Sequence, residues 1–229
     1  MKMILRFCLV IMTVVGLLSC EKNDYMNDGG PSDAFVNMTT YDFLKSHPKF
    51  DSLVRVIDQA GLKDEINGDI TFFASTNYSV ASYVAVKRQE EIIKVGDENI
   101  DFGIKDIPAT ELRDSLQIYM FDGKINREQM STEGAYYTSR LGAVQGVRFM
   151  IKLRRVNIYS TFLDYVDYVN LTKVNGTLDS DEPDQSSIPE NLRDLSYDCQ
   201  TSGIITTTGI IHVLSDNHRL FFNAQSFSN

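Results

Sequence analysis

The sequence predicts an α+β fold, with the helices mostly in the first half of the chain and the strands in the second. Over residues 50–57 and again over residues 112–119, apolar residues recur every three or four positions, as on a helix with one buried face. From residue 147 they alternate with polar residues, the spacing of a half-buried strand. Helices grouped before strands indicate α+β rather than a regular βα alternation.

Two helices are expected at the start of the domain. Thr40 can cap a short helix through Lys45, and Pro48 prevents that helix from continuing smoothly. A second helix starts near Lys49 and ends at Gly61, because glycine readily takes the left-handed conformation of a helix C-terminus. Its buried face comprises Phe50, Leu53, Val54 and Ile57.

A third helix opens at Pro108 and Thr110 and is broken by Asp122-Gly123. Its apolar face comprises Leu112, Leu116 and Tyr119. Residues 78–105 are predicted to alternate between helical fragments and loop.

The strands follow from short β-branched and aromatic runs. Residues 70–74 form a short apolar strand, residues 147–154 a half-buried one, and residues 155–175 a second β-rich run. Residues 203–214 are dense in Ile, Thr and Val and predict one or two further strands. Cys199 lies in a β-like stretch and is expected to be a small core residue.

The N-terminus resembles the signal segment of a bacterial lipoprotein. A charged start and a short apolar run are followed by Leu17-Leu18-Ser19-Cys20, which resembles a lipobox. We therefore expect residues 1–19 to be a signal peptide, and Cys20 to be acylated and to anchor the chain in a membrane. The alternative is an ordinary signal cleaved nearby, with Cys20 incidental. Residues 20–37, rich in Asn, Asp and Gly, are expected to be a flexible tether, and residues 223–229 a C-terminal tail.

The acidic charge of the chain limits the kinds of partner that it can bind. The formal net charge is −9, and residues 1–19 hold two basic and no acidic side chains, so the remainder is more acidic still. This argues against binding of a nucleic-acid backbone. Glu21, in place of the Asp of an inner-membrane retention signal, favours the outer membrane and display on its surface, with a periplasm-facing protein as the alternative.

Three segments, in order, resemble a fasciclin (FAS1) domain. The first is FDSLVRVIDQAGLKDEINGDITFFASTN, residues 50–77, which ends in a segment similar to the family's first box. That box comprises Thr71, Phe72, Phe73, Ala74, Ser75, Thr76 and Asn77. The second is LQIYMFDGK, residues 116–124. The third is GIIHVLS, whose box comprises Gly209, Ile210, Ile211, His212 and Val213.

The resemblance implies one domain over residues 38–222, a wedge of strands wrapped by helices with a role in adhesion or extracellular recognition. Two departures qualify it. The family's Tyr-His pair maps onto Tyr119-Met120, so receptor binding of that kind is not carried over. The spacing between the second and third segments also indicates an insertion within about residues 155–195.

Individual residues have competing interpretations. His212 is either a ligand or metal contact or, as we expect, a buried imidazole that bonds the backbone. Thr76 and Asn77 are expected to cap a helix. The tyrosines Tyr159, Tyr165 and Tyr168 could stack on sugar rings, with strand packing as the alternative. The acidic loop at residues 179–190 could offer oxygens to calcium, but it lacks an EF-hand pattern and is expected to be solvated.

The function expected from these observations is binding, without a cofactor or metal. The sequence contains no nucleophile elbow, phosphate loop or zinc-protease motif, although a pair of glycosidase carboxylates is not excluded. The leading hypothesis is a lipid-anchored adhesion module for cell-surface or matrix components. The alternatives are an accessory glycan-binding lipoprotein of a nutrient-uptake system and, third, a lipid-anchored hydrolase.

Overall fold

A single mixed sheet forms the centre of the fold. The computed structural model describes residues 34–157 and 164–222. Its strands are β1 (Ile70–Ala74), β2 (Met120–Asp122), β3 (Ala135–Thr138), β4 (Arg148–Val156), β5 (Val166–Val174), β6 (Leu195–Ile205) and β7 (Ile210–Leu214). They form a seven-stranded sheet in the order β2-β1-β7-β6-β5-β4-β3. The α+β class predicted from the sequence is therefore confirmed.

Six α-helices accompany the sheet in the described part of the chain. They are α1 (Thr40–Ser46), α2 (Asp51–Ala60), α3 (Lys63–Ile66), α4 (Asn77–Val95), α5 (Ala109–Leu116) and α6 (Arg140–Gln145). Helix α2 packs against α1, α4 and α5, with Leu53, Val56 and Ile57 buried in the core. Within residues 34–157 and 164–222, no helix combines the length and apolar character needed to cross a membrane.

The parallel pair β1–β7 joins distant parts of the sequence. Thr71 pairs with Ile210 and Ala74 with Val213, whereas the other strand pairs are antiparallel. Every residue of both strands is buried, which is typical of strands covered on both faces.

Aromatic side chains fill the core beneath the sheet. The ring of Phe121 on β2 lies 5.5 Å from that of Phe73 on β1 and 5.4 Å from that of Phe149 on β4. Because β2 and β4 are far apart in the strand order, the sheet must curl so that these strands approach each other across the core.

The beginning of the first helix differs from the prediction. Thr39, not Thr40, is the N-cap of α1, and its side chain accepts a hydrogen bond from the Asp42 N–H. Thr40 is buried, and its hydroxyl lies 2.9 Å from that of Thr206 and 3.1 Å from that of Thr208. The side chain expected to cap a helix therefore attaches that helix to the turn between β6 and β7.

Two other helix predictions were wrong. Much of the stretch at residues 78–105 belongs to one 19-residue helix, α4, which ends at Val95 before the left-handed Gly96. The helix expected to run to Asp122-Gly123 ends instead at Leu116. A short 3₁₀ turn follows, and Met120–Asp122 pairs with β1 as strand β2.

The segment assigned to an insertion contains part of the sheet. Strand β5 lies between β4 and β6 and pairs with both. The acidic loop after it forms three short 3₁₀ turns, and its ends are joined by Asp194, whose carboxylate accepts hydrogen bonds from the N–H groups of Asn175 and Asp179. Over residues 34–157 and 164–222, no cluster of three or more His, Cys, Asp or Glu side chains is arranged to hold a metal ion.

Backbone hydrogen bonds to strand β6 begin a few residues before residue 38, where the domain was expected to start. Val36 N–H donates to the Ile205 carbonyl at 2.8 Å, and Ile205 N–H donates to the Ala34 carbonyl at 2.7 Å. Cys20, residues 1–33 and residues 223–229 lie outside the described residues.

Candidate functional site

The two fasciclin-like boxes lie side by side in the centre of the sheet. Residues 71–74 belong to β1 and residues 210–213 to its parallel neighbour β7. Gly209 comes directly before β7 and lies against the backbone of β1. A Cβ placed on it would lie 2.3 Å from the Ile70 carbonyl oxygen. Apart from the partly exposed Asn77, the residues of both boxes are buried, so they hold the sheet together and do not present a ligand-binding surface.

His212 connects three segments of backbone. Its Nδ1 accepts a hydrogen bond from the Gly203 N–H at 3.1 Å, which leaves Nε2 to donate to the Ile125 carbonyl at 3.0 Å. Burial lowers the pKa of His212 to about 4, although the bond to Ile125 acts in the opposite direction. The imidazole is therefore a neutral structural group at physiological pH.

The end of the first box connects separate helices and loops. Thr76 is at the N-cap position of α4 but makes no capping bond, and its hydroxyl donates to Asp216 at 2.8 Å. Asn77 caps a different helix, because its side-chain oxygen accepts from the Ser52 N–H in the first turn of α2 at 2.8 Å. The expectation that both residues cap a helix is therefore confirmed for Asn77, although at α2 and not at the helix that it begins, and is wrong for Thr76.

Tyr119 and Met120, at the position of the family's Tyr-His pair, are both buried. The Tyr119 hydroxyl is hydrogen-bonded to His218 Nε2 at 2.7 Å and accepts from the Phe221 N–H at 2.5 Å. Burial raises the pKa of Tyr119 well above its usual value. This pair is thus part of the core and is not accessible to a partner.

The three candidate tyrosines do not form one site among the described residues. Tyr159 lies outside the part of the chain that the structure describes. Tyr165 is half exposed, with the Arg155 guanidinium 3.5 Å from its ring centroid. Tyr168 is paired in register with Arg154, the neighbour of Arg155, and adjacent strand residues point to opposite faces. Tyr165 and Tyr168 are therefore each associated with a different face of the sheet.

Tyr168 lines a groove of about 410 Å³ on the outward face of strands β4 to β6. This volume falls in the range of about 300–1,000 Å³ that is typical of small-ligand sites. The groove is lined by Arg154, Tyr168, Asn170, Ser196, Tyr197, Asp198, Cys199, Gln200, Ser215 and Asn217. We refer to it as the Tyr168 groove.

A chain of polar side chains runs across the floor of the Tyr168 groove. Arg154 Nε donates to Asp198 Oδ1 at 2.8 Å, and a second Arg154 nitrogen donates to Oδ2. Asn170 Nδ2 donates to Asp198 Oδ1 at 2.9 Å. The Asn170 oxygen lies 2.8 Å from the Thr172 hydroxyl and 3.1 Å from that of Ser196. These bonds fix the side chains in place before any ligand arrives.

The charges in the groove compensate each other. Burial alone would raise the pKa of Asp198, but the hydrogen bonds from Arg154 and Asn170 outweigh it and hold the pKa below the usual range. The carboxylate is ionised at neutral pH and is matched by one guanidinium. Burial raises the pKa of the Cys199 thiol well above its usual value, so this group stays protonated.

The sequence did not identify Arg154, Asn170 and Asp198 as a group. They lie on three strands, and only the register places Arg154 opposite Tyr168 and Asn170 opposite Asp198. The one sequence signal for the site was the tyrosine itself, together with the polar positions that alternate with apolar ones along β4 and β5.

A second cavity of about 450 Å³ lies between α4 and residues 100–111. Its charged side chains are largely paired with each other, as in the bonds of Lys87 to Glu90 and Glu111. The polar part of its lining consists of charged side chains, whereas the Tyr168 groove combines a tyrosine ring with uncharged hydrogen-bonding groups. We therefore take the Tyr168 groove as the candidate site.

No known protein-family model matches the chain, and no curated protein matches it. Among solved structures, the chain is similar to a FAS1 domain pair from the insect cell adhesion molecule fasciclin I. The identity is 9% and the TM-score 0.44, over 76% of this chain and 45% of that one. The chain thus spans less than half the length of the domain pair.

Proposed function

We propose that the chain is a lipid-anchored extracytoplasmic lipoprotein whose FAS1-type domain binds cell-surface or matrix components. The observation that carries this proposal is the Tyr168 groove, in which an aromatic ring adjoins a fixed array of hydrogen-bonding groups. The lipobox-like ending at Cys20 supports the anchor.

The titratable groups of the groove suit recognition better than catalysis. A general acid or base works best with a pKa near the working pH, whereas the pKa of Asp198 is lowered and its oxygens are engaged. A nucleophilic cysteine needs a depressed pKa, whereas that of Cys199 is raised. We therefore propose that the protein acts by binding.

The anchor is tested by protease treatment of intact cells. We expect the native protein to be membrane-associated and removed by external protease, and Cys20→Ala to be released from the membrane. Cys8→Ala is the matched control, because it removes a cysteine upstream of the lipobox, and it should behave like the native protein. Anchoring that survives Cys20→Ala would contradict the proposal, and a protease-protected native protein would exclude contact with other cells.

Adhesion is tested with whole cells that carry the anchored full-length chain. We expect these cells to bind immobilised matrix proteins or surface glycans more strongly than cells with Asp198→Ala, which removes the acceptor at the centre of the groove. If the two strains carry equal amounts of the protein on their surface and bind equally, the Tyr168 groove has no role in adhesion.

A second candidate function is an accessory glycan-binding lipoprotein of a nutrient-uptake system. The position of Tyr168 in the groove favours it, because tyrosine combines an apolar ring face with a polar tip. A strain that lacks the protein should then take up labelled oligosaccharide more slowly, with unchanged adhesion. Unchanged uptake would exclude this role.

A further inference from the structure

The ligand class of the Tyr168 groove can be argued from its remaining hydrogen-bonding capacity. We infer that the groove binds an uncharged sugar ring, which packs on Tyr168 and exchanges hydroxyl hydrogen bonds with Arg154, Asn170 and Asp198. This inference rests on the proposed binding function and makes its ligand specific.

The aromatic ring and the polar groups lie on one face of the sheet. Tyr168 is opposite Arg154 in register, and the Arg154 guanidinium carbon is 5.9 Å from the ring centroid. Asn170, two residues further on the same strand, is opposite Asp198. Side chains two residues apart share a face, so the ring and the amide lie next to each other along β5. A sugar has a matching layout, with apolar C–H groups on its face and hydroxyls on its rim.

The hydrogen bonds among the described residues leave both donors and an acceptor available. A guanidinium has five N–H donors, and Arg154 directs two of them at Asp198. The Asn170 amide nitrogen has two donors and uses one. Asp198 Oδ2 accepts from Arg154 and retains a second lone pair. A ligand group that both donates and accepts fits this set, and a hydroxyl does both.

The side-chain oxygen of Asn170 is already hydrogen-bonded within the protein and is not needed to bind the ligand. It already lies within hydrogen-bond distance of the Thr172 and Ser196 hydroxyls, which hold the amide so that its nitrogen faces Asp198. Asn170 is 2% exposed, so its orientation is set by the protein. Ordered groups of this kind lose little conformational freedom when a ligand binds.

The charge balance selects against acidic sugars. The positive charge of Arg154 is engaged by Asp198 through two hydrogen bonds, so the pair offers no excess of positive charge to an anion. A carboxylate on the ligand would approach the Asp198 carboxylate, and the acidic chain adds to this repulsion. The other polar groups of the lining are uncharged, among them Ser196, Gln200, Ser215 and Asn217.

The first test measures sugar binding by the full-length lipoprotein in detergent micelles. The probes are neutral trisaccharides of glucose, galactose or mannose and the corresponding uronic-acid oligosaccharides, each titrated by calorimetry. We expect at least one neutral probe to bind about tenfold more tightly than its uronic-acid counterpart. No binding of any neutral probe, or equal binding of the acidic ones, would overturn the inference.

Substitutions then locate the site. Tyr168→Ala should weaken neutral-sugar binding about tenfold, and Tyr168→Phe should retain most of it because the ring remains. The matched control is Tyr136→Ala, because Tyr136 on β3 is also partly exposed and has an arginine, Arg148, 4.9 Å from its ring centroid. Binding by Tyr168→Ala that equals the native protein would place the sugar elsewhere and overturn the inference.

Asp198→Asn provides a test that does not depend on a loss of binding. It keeps the shape of the side chain but removes its charge, so Arg154 becomes an unmatched cation. We expect the preference to move by about tenfold towards the uronic-acid probe. An unchanged preference, with the circular-dichroism spectrum of the native protein, would contradict the charge argument.

Failure of this inference can be separated from failure of the proposed function. If cells with Tyr168→Ala remain anchored and adhesive and the native protein binds no sugar, the inference is wrong and the binding module stands. If Cys20→Ala fails to release the protein, the anchored function is wrong whatever the groove binds. Inhibition of cell adhesion by the free neutral trisaccharide supports both together, and binding of the free sugar without such inhibition supports the uptake role.

Discussion

His212 is held as a neutral imidazole by a hydrogen bond on each ring nitrogen. Nδ1 accepts from Gly203 on β6, and Nε2 donates to Ile125 beyond β2, so one side chain ties β7 to two other segments. The ring also lies 5.0 Å from that of Phe73 on β1. Burial is the main reason why the charged form is disfavoured there, and protonation of Nδ1 would in addition remove the acceptor for the Gly203 N–H.

We predict that His212→Leu destabilises the protein strongly. The substitution leaves a buried N–H and a buried carbonyl without a partner, and each unsatisfied group costs about 1–3 kcal/mol. Urea denaturation should show a loss of about 2–6 kcal/mol in the free energy of unfolding. His47→Leu is the control, because His47 is exposed and should change stability by well under half of that amount. A small effect of His212→Leu would contradict the structural role.

Asn77 also acts beyond its own helix. Its oxygen accepts from the Ser52 N–H and its amide nitrogen donates to the Pro48 carbonyl at 2.7 Å, so it joins the start of α4 to the start of α2. We predict that Asn77→Ala lowers the free energy of unfolding by about 0.5–2 kcal/mol, as for the loss of a helix cap. The measurement is denaturation against Asn99→Ala, a substitution in an exposed loop. Equal stability of the two variants would refute the capping role.

At the scale of elements, the close contact between β1 and β7 depends on Gly209. A methyl group at this position would lie 2.3 Å from the Ile70 carbonyl oxygen, so the two strands could not keep their present separation. We predict that Gly209→Ala costs about 1–3 kcal/mol of stability and increases amide exchange in β1 and β7. Gly103→Ala is the control, because its added methyl meets no atom within 4 Å. Unchanged amide exchange in β1 and β7 would contradict the prediction, because it would show that the two strands accommodate the added methyl group.

The sequence could predict those elements whose residues repeat with one clear period. Strands β1 and β4 and helix α2 have such patterns, and each was expected close to its observed position. Helix α4 was missed because only its first half packs on the core, through Ser79, Val80, Tyr83 and Val86. The groove was missed because its members come from strands whose register depends on the whole sheet, which no local pattern specifies.

At the scale of the whole molecule, two buried histidines make stability depend on pH. Burial lowers the pKa of His212 from 6.5 to about 4 and that of His218 from 6.5 to about 3. Below pH 6.5 the unfolded chain takes up protons that the folded chain does not. Stability is therefore fully present above pH 6.5 and is lost as the pH falls through the two folded pKa values.

We predict that the free energy of unfolding falls steeply between pH 6.5 and pH 4. A pKa shift of this size in His212 alone corresponds to on the order of 3 kcal/mol, a large part of the roughly 5–15 kcal/mol of a typical domain. Denaturation curves at several pH values measure the slope. A native protein equally stable at pH 7 and pH 4.5 would contradict the prediction.

The parallel pairing of β1 with β7 has a consequence for how the chain is made. Thr71 is joined to Ile210, so the centre of the sheet closes only after nearly all of the domain has been synthesised. Contacts between such distant residues fold slowly, because a long loop must be closed before they form. A nascent chain lacking β7 has an unpaired central strand and cannot complete its core. Such a chain therefore stays incompletely folded, and the arrival of the last strand sets the moment at which the sheet closes.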